Sequence, residues 1–281
     1  MKYLVTSATG DLAGKAVEHL KKLVAIEEIA VTVRSIEKAQ HLVDAGIDVR
    51  VADFLNKEDL VKAFTDIDRV LFISSGDLST RSEQQANVVE ALKEAGVKFV
   101  VYTSAPNAQE STAVVAPDHK LTENLIKDAG IDYTFARNNW YLENEAFVIQ
   151  AAKNSGSIIY SAQEGKTGWA IKDDYAEAAV RILVGLAPKQ EIYELGGKPI
   201  TYKELAEIVS AAISKEVEAI ASTDEKFTEQ LTQVGLPAEV AGFFTIVQRD
   251  IREGALDVES SDLEKALGRK PTSFDEVIKV L

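Results

Sequence analysis

The chain has 281 residues, 46% of them apolar, and a formal net charge of −14. That length suits one large α/β domain, or a dinucleotide-binding core with a smaller appended region. The acidic excess argues against non-specific binding to nucleic acid or anionic membranes, and the lack of cysteine excludes disulfides, thiolate metal sites and cysteine nucleophiles. His19, His41 and His119 lie far apart, with no H-E-x-x-H pattern, so no zinc site is expected. No apolar run approaches the roughly 18 residues of a membrane span, and the N-terminal apolar run is too short for a signal peptide. The expectation is a cytoplasmic protein without a metal.

Met1–Val5 reads as a short buried strand and Ala16–Leu23 as a helix, because its apolar positions recur at helical spacing. Between them lies a small-residue turn, Val5-Thr6-Ser7-Ala8-Thr9-Gly10-Asp11-Leu12-Ala13-Gly14. Such a turn lays backbone N–H groups against a phosphate, and the helix behind it adds partial positive charge. One variant of the dinucleotide fingerprint has three glycines, G-x-x-G-x-x-G; here those places hold Ser7, Gly10 and Ala13. The repeated strand–helix units that follow supply the context the motif needs.

Residues 29–33 read as strand two and 36–45 as a helix ended by Gly46. A third strand covers 49–52, and Asn56 is placed to cap a helix over 57–64. A fourth strand at 69–73 leads through Ser74-Ser75-Gly76 to a helix over 83–95. A fifth strand at 99–103 is followed by a helix over 117–129, closed by Gly130, and then by a sixth strand at 132–136. Strands this rich in apolar and β-branched residues suit a parallel sheet covered on both faces, giving a doubly wound α/β fold. Past Tyr160 strand signals thin to one at 192–195. Helices dominate, and Thr201–Glu204, Ser261–Glu264 and Ser273–Glu276 have the form of capping boxes. The expected division is a dinucleotide-binding domain over 1–150 and a smaller, mostly helical region over 151–281 packed against it.

Where strand two ends, Val33 is followed by Arg34, with Lys38 one turn on and no acid at the strand end. NAD-preferring proteins place a carboxylate there for the ribose hydroxyls, whereas a guanidinium grips a 2′-phosphate in a bidentate way. This points to NADPH. Asp53-Phe54 after strand three is placed either to meet the adenine or to form an ordinary Asp turn. Ser74, Ser75 and Gly76 stand at a strand carboxyl end, where open α/β sheets bind ligands.

Short-chain dehydrogenases typically carry Tyr-x-x-x-Lys on the helix after strand five, the tyrosine acting as general acid. No such pair exists in this chain: if His119 fills the lysine place, the tyrosine place is Val115. A chain without that acid is poorly equipped for ordinary ketones, yet able to pass hydride to an acceptor that needs little acid help. His119 is the one candidate for proton transfer. After strand six, Arg137-Asn138-Asn139-Trp140-Tyr141-Leu142-Glu143-Asn144 packs two aromatics among amides and charges. Asn138, Asn139, Trp140 and Tyr141 suit a flat, oxygen-bearing ring; a packed connection between the two regions is the other reading.

On these residues the chain resembles the NmrA-like atypical short-chain dehydrogenases, in particular their type 2 NAD(P)H:quinone oxidoreductase and triphenylmethane reductase branches. The resemblance runs through Thr6–Leu12, Val33-Arg34 with Lys38-Ala39, Leu71–Ser75, Gly96–Phe99, Tyr102–Ser104, His119 with Thr122-Glu123, Tyr133-Thr134 and Arg137–Asn144. It reaches the second half at Asp174–Ala176 and Val234–Pro237. It implies a Rossmann core, bound NADPH, and hydride transfer to quinones or similar small molecules. It also implies that residues 6–12, Arg34 and the Ser74 loop hold the cofactor and that the Asn138–Glu143 loop borders the cleft. Ser7 departs from the family's usual glycine, and a positive φ there would strain it. A dinucleotide-binding redox sensor without turnover is the competing reading. The oligomeric state is not encoded in any motif.

Overall fold

Successive side chains of a strand point to opposite faces, and the first strand shows what this does to the whole chain. Tyr3 and Val5 enter one apolar core with Val31, Val33, Leu71 and Val101. Leu4, between them, enters another with Ala30, Val70, Phe72 and Val100. The computed structural model describes residues 1–281.

In chain order the first half runs β1 (Tyr3–Val5), α1 (Asp11–Leu20), β2 (Ile29–Val33), α2 (Gln40–Asp44), β3 (Asp48–Val51), α3 (Lys57–Phe64), β4 (Arg69–Phe72), α4 (Arg81–Glu94), β5 (Phe99–Ser104), α5 (Ala116–Ala129) and β6 (Asp132–Asn138). The second half runs α6 (Ala146–Ser155), β7 (Ser157–Tyr160), β8 (Lys166–Thr167), α7 (Lys172–Val184), β9 (Ile192–Leu195), β10 (Ile200–Thr201), α8 (Tyr202–Ile213), β11 (Glu218–Ala221), α9 (Asp224–Gln233), α10 (Ala238–Arg252), α11 (Asp262–Leu267) and α12 (Phe274–Val280). Seven strands form one sheet in the order β3-β2-β1-β4-β5-β6-β9, every pair parallel. The order reverses between β1 and β4, which opens a crevice at their carboxyl ends. Helices α1, α7 and α11 cover one face, and α3, α4 and α5 the other.

Local signals explain most element ends. Asn56 caps α3 through a 3.1 Å bond from the Asp59 amide, and Gly130 closes α5 at φ 72°, where a Cβ would be strained. The helix expected over 36–45 is instead a 3₁₀ turn at Glu37–Ala39 followed by the short α2. The tighter turn brings Ala39 fully into the core. Of the three expected capping boxes only Thr201–Glu204 closes. Ser261 makes no cap bond, and its neighbour Ser260 instead accepts from the Asp262 amide at 3.0 Å. Ser273 makes no cap bond either.

Residues beyond 150 do not stay on one side of the molecule. β9 pairs with β6 and so completes the large sheet, while α7 lies along α1 in the same core. α11 joins that core as well, while most of the remainder builds a third core around Trp169, Tyr160 and Tyr202. There Tyr160 stacks on Tyr202 with centroids 5.1 Å apart, and Trp169 meets Tyr202 edge-on. The chain therefore crosses between the two layers more than once, and residue 150 is not a clean cut.

Candidate functional site

A cleft of about 1520 Å³ opens at the carboxyl ends of β1, β2 and β4 and continues between the sheet and α10. Its near end is the β1–α1 turn. Ser7 sits there at φ 56°, in the left-handed region. Its amide donates to Thr32 Oγ1 at 3.3 Å, and its carbonyl accepts from Gly10 N at 2.8 Å. A Cβ on Gly10 would meet that carbonyl at 3.3 Å, so glycine keeps the turn tight. Gly10 is also the N-cap of α1 and offers no side-chain cap. The first-turn amides of α1 are thus left for a ligand, the arrangement that receives phosphate.

Not every residue of the motif reaches the cleft. Ser7, Thr9, Gly10, Asp11 and Leu12 line it. Thr6 and Ala8 are buried and fasten the turn from behind: Thr6 Oγ1 accepts from Ile73 N at 2.9 Å, and Ala8 N donates to Thr32 O at 3.0 Å.

Arg34 and Lys38 stand exposed on the rim at the end of β2. Glu37, which lies between them in the chain, accepts from Ser35 Oγ at 3.0 Å. Asp53 makes an Asx turn, accepting from Leu55 N at 2.8 Å, and Phe54 is buried edge-on against Phe72. The Asp turn is thus formed, and both residues also line the cleft. Ser74 N donates to Thr103 Oγ1 at 2.9 Å and Asp77 N to Ser75 Oγ at 3.2 Å. These bonds fold the β4–α4 loop so that Ser74, Ser75 and Gly76 face the cleft.

Val115 and His119 line the middle of the cleft. The valine has no proton to give. His119 is buried, with Nδ1 2.8 Å from the Tyr102 hydroxyl, and that is its only protein hydrogen bond, leaving Nε2 for a ligand. Burial pushes its pKa down to about 3, with the Arg81 charge adding to the shift, so the imidazole is neutral across the ordinary pH range. Glu123, one turn on, does not join it. That carboxylate takes Nε and Nη2 of Arg137 at 2.8 and 2.7 Å, and Arg137 Nη1 reaches Glu194 at 2.8 Å. This buried network pins β6 to α5 and β9.

At the end of β6 the four residues expected to face an acceptor divide. Asn138, still in the strand, donates from Nδ2 to the Tyr141 hydroxyl at 3.2 Å, and its Oδ1 is buried without a partner. Asn139 is spent on the protein: Nδ2 donates to Leu256 O at 3.0 Å, and Oδ1 accepts from Trp140 N at 2.8 Å. Its side chain wedges between Gly168 and Gly196, where an added Cβ would lie 3.0 Å from it. Trp140 and Tyr141 remain half-buried walls of the cleft.

Trp140 is held from both sides. Phe243 and Phe244 of α10 lie 6.5 and 6.2 Å from its ring centroid, and its Nε1 donates to Glu145 Oε1 at 3.0 Å. The same oxygen accepts from Trp169 Nε1 at 3.2 Å and the Tyr202 hydroxyl at 2.8 Å. Burial pushes Glu145 up to about 7, against those three donors.

Sequence reasoning missed Arg81, Glu145, Lys172 and Phe243. Lys172 bridges the layers, pairing with Asp11 at 2.9 Å with its ammonium 5.7 Å from the Tyr141 ring centroid. Phe243 lies more than a hundred residues from Trp140 in the chain, and no local pattern joins them. Arg81 stands in Ser79-Thr80-Arg81-Ser82, which reads as a solvated helix start.

A model of the NmrA-like family matches residues 1–278. The chain is 35% identical to quinone oxidoreductase 2 of Escherichia coli over 278 residues, 99% of this chain and 97% of that protein. The crystal structure of the NADPH-dependent quinone oxidoreductase from Escherichia coli complexed with NADPH aligns at a TM-score of 0.93, with 35% identity and 99% of each chain covered. Triphenylmethane reductase from Citrobacter sp. complexed with NADP(H) aligns equally well, at 0.93 with 34% identity and 99% of each chain.

Proposed function

The chain belongs to the NmrA-like family, and from that premise we propose that it is an NADPH-dependent oxidoreductase that reduces quinones or similarly flat acceptors. The observation that carries the reading is the single cleft joining the β1–α1 turn, through His119, to the aromatic wall of Trp140 and Phe243. Its near end fits a dinucleotide phosphate: uncapped α1 amides, a glycine where a Cβ would crowd the turn, and two free cations on the rim. The relatives described as NADPH-dependent or bound to NADP(H) support the same assignment. When bound, NADPH supplies a hydride.

This chain's own residues bind and orient. The α1 amides receive the pyrophosphate, Arg34 and Lys38 the 2′-phosphate, and the Ser74–Gly76 loop the neighbouring ribose. Trp140, Tyr141 and Phe243 exclude water from the acceptor side. No tyrosine acid stands at Val115, and His119 is uncharged, so the proton comes from water. A quinone tolerates this, because its hydroquinone anion is a far weaker base than an alkoxide. NADPH oxidation by the purified protein against quinones, triphenylmethane dyes and simple ketones tests the reading. Turnover of quinones with negligible turnover of ketones is the expected result. Ketone reduction at the same rate overturns the mechanism, and tight NADPH binding without any turnover favours the sensor reading.

A further inference from the structure

Arg81 opens α4 and lines the cleft, yet only 8% of its surface is exposed. A buried guanidinium normally finds a carboxylate, because an unpaired buried charge is costly. This one does not. Nε donates to Ser75 O at 2.7 Å, and Nη1 is buried with no partner at all. Its acidic neighbours are occupied: Asp77 accepts from Ser79 and Thr80, and Asp118 from Ser82. The loss of water lowers its proton affinity. α4 begins here without a side-chain cap on Thr80, which adds partial positive charge at the same place.

The helix places the guanidinium: one turn on, Gln85 Oε1 accepts from the Tyr102 hydroxyl at 2.5 Å, and that hydroxyl meets His119 Nδ1 at 2.8 Å. Arg81 therefore enters the cleft on the helix that backs His119, and both side chains line it. We propose that Arg81 is the binding residue for an anionic oxygen of the acceptor, and that the preferred acceptors are quinones bearing an ionised hydroxyl. The inference rests on the oxidoreductase reading for its second half and on the geometry alone for its first.

The step balances without another reagent. A hydride from NADPH forms one bond to the quinone and brings two electrons. The quinone becomes a hydroquinone anion with one more negative charge than the acceptor carried, and NADP⁺ is left. The oxygen that gains the charge lies against Arg81, and water then delivers the proton. A planar fork matches such an oxygen better than an ammonium does.

The test measures binding directly, by calorimetry with the full-length protein loaded with NADP⁺. The probes are a hydroxynaphthoquinone that is ionised at neutral pH and unsubstituted naphthoquinone. In Arg81→Met the ionised probe is expected to weaken by about tenfold or more, since charge-assisted hydrogen bonds are the strong ones. The neutral probe is expected to change by less than about twofold, and Arg81→Lys to fall between for the ionised probe. NADPH affinity, titrated separately by fluorescence, is expected to be unchanged. Equal loss for both probes, or a parallel loss of NADPH affinity, overturns the proposal by making Arg81 a structural or cofactor residue. If Arg81→Met does not fold, Arg81→Lys decides on the same selectivity. A protein that binds the ionised probe through Arg81 but never oxidises NADPH keeps the anion site and discards the oxidoreductase reading.

Discussion

Glu145 stands behind Trp140: the carboxylate holds the indole Nε1 at 3.0 Å while the ring faces the cleft. The wall against which an acceptor would lie is thus fixed by a buried acid whose pKa is pushed up to about 7. Because the folded state holds this proton more tightly than the unfolded chain, stability from this group is fully present below the ordinary carboxylate range. It is lost as pH rises through about 7. A shift from 4.5 to about 7 corresponds to about 3 kcal/mol. Urea unfolding from pH 4 to 8 is expected to show Glu145→Gln with a flatter profile than the parent. Parallel profiles would remove Glu145 as the titrating group.

Arg34 and Lys38 are the only features of the rim suited to a 2′-phosphate. Arg34→Ala is expected to weaken NADPH by about 1.5–3 kcal/mol, the worth of a charge-assisted hydrogen bond, and to leave NADH affinity nearly unchanged. Fluorescence titration with both cofactors is the check; a preference that survives the substitution would refute the assignment.

Ser7 occupies left-handed backbone at φ 56°, which costs an L-residue roughly 1–2 kcal/mol. Glycine relieves that strain but loses some of the gain to greater freedom in the unfolded chain. Ser7→Gly is expected to raise stability by up to about 1 kcal/mol and to keep cofactor affinity, whereas Ser7→Val lowers both. A destabilised Ser7→Gly would mean that the serine hydroxyl supplies a contact of its own.

His119 titrates too low to serve as a charged acid at neutral pH, its pKa lowered to about 3 chiefly by burial. General acid help is worth roughly 10²–10⁴-fold where a reaction needs it. His119→Gln is therefore expected to reduce quinone turnover by less than about tenfold and to leave the pH–rate profile between pH 5 and 8 unchanged. A hundredfold loss, or a vanished limb in that profile, would place His119 in the proton path. The histidine also shapes stability. Its depressed pKa gives stability that is present above about 6.5 and lost as pH falls towards about 3, opposite in sign to Glu145.

Much of the doubly wound layer was legible because its causes are local. The short apolar run ending at Tyr3, Leu4 and Val5, the Asn56 cap and the Gly130 stop all act within a few residues. That the small-residue turn, Arg34 and the Ser74 loop stand at strand ends, where they line one cleft, was legible for the same reason: strand-end position is a local property. What escaped depends on distant partners. Asn139 looks like a ligand donor in sequence; it lines the cleft, and only the approach of Gly168, Gly196 and Leu256 shows that its side chain also braces the protein. Glu145 reads as one more acid in an acidic loop until Trp169 and Tyr202 close over it. Arg81 is unremarked in sequence because its meaning lies in the carboxylate it lacks.

The place of β9 has a consequence for how the protein is made. The edge of β6 stays open until Leu195 has been synthesised, and α1 lacks its cover until α7 follows. A nascent chain leaving the ribosome therefore carries a dinucleotide-binding layer with an unpaired strand edge and a bare apolar helix face, both prone to association. Expression of residues 1–150 alone would leave the protein permanently at that stage, so a soluble fragment has to extend past β9.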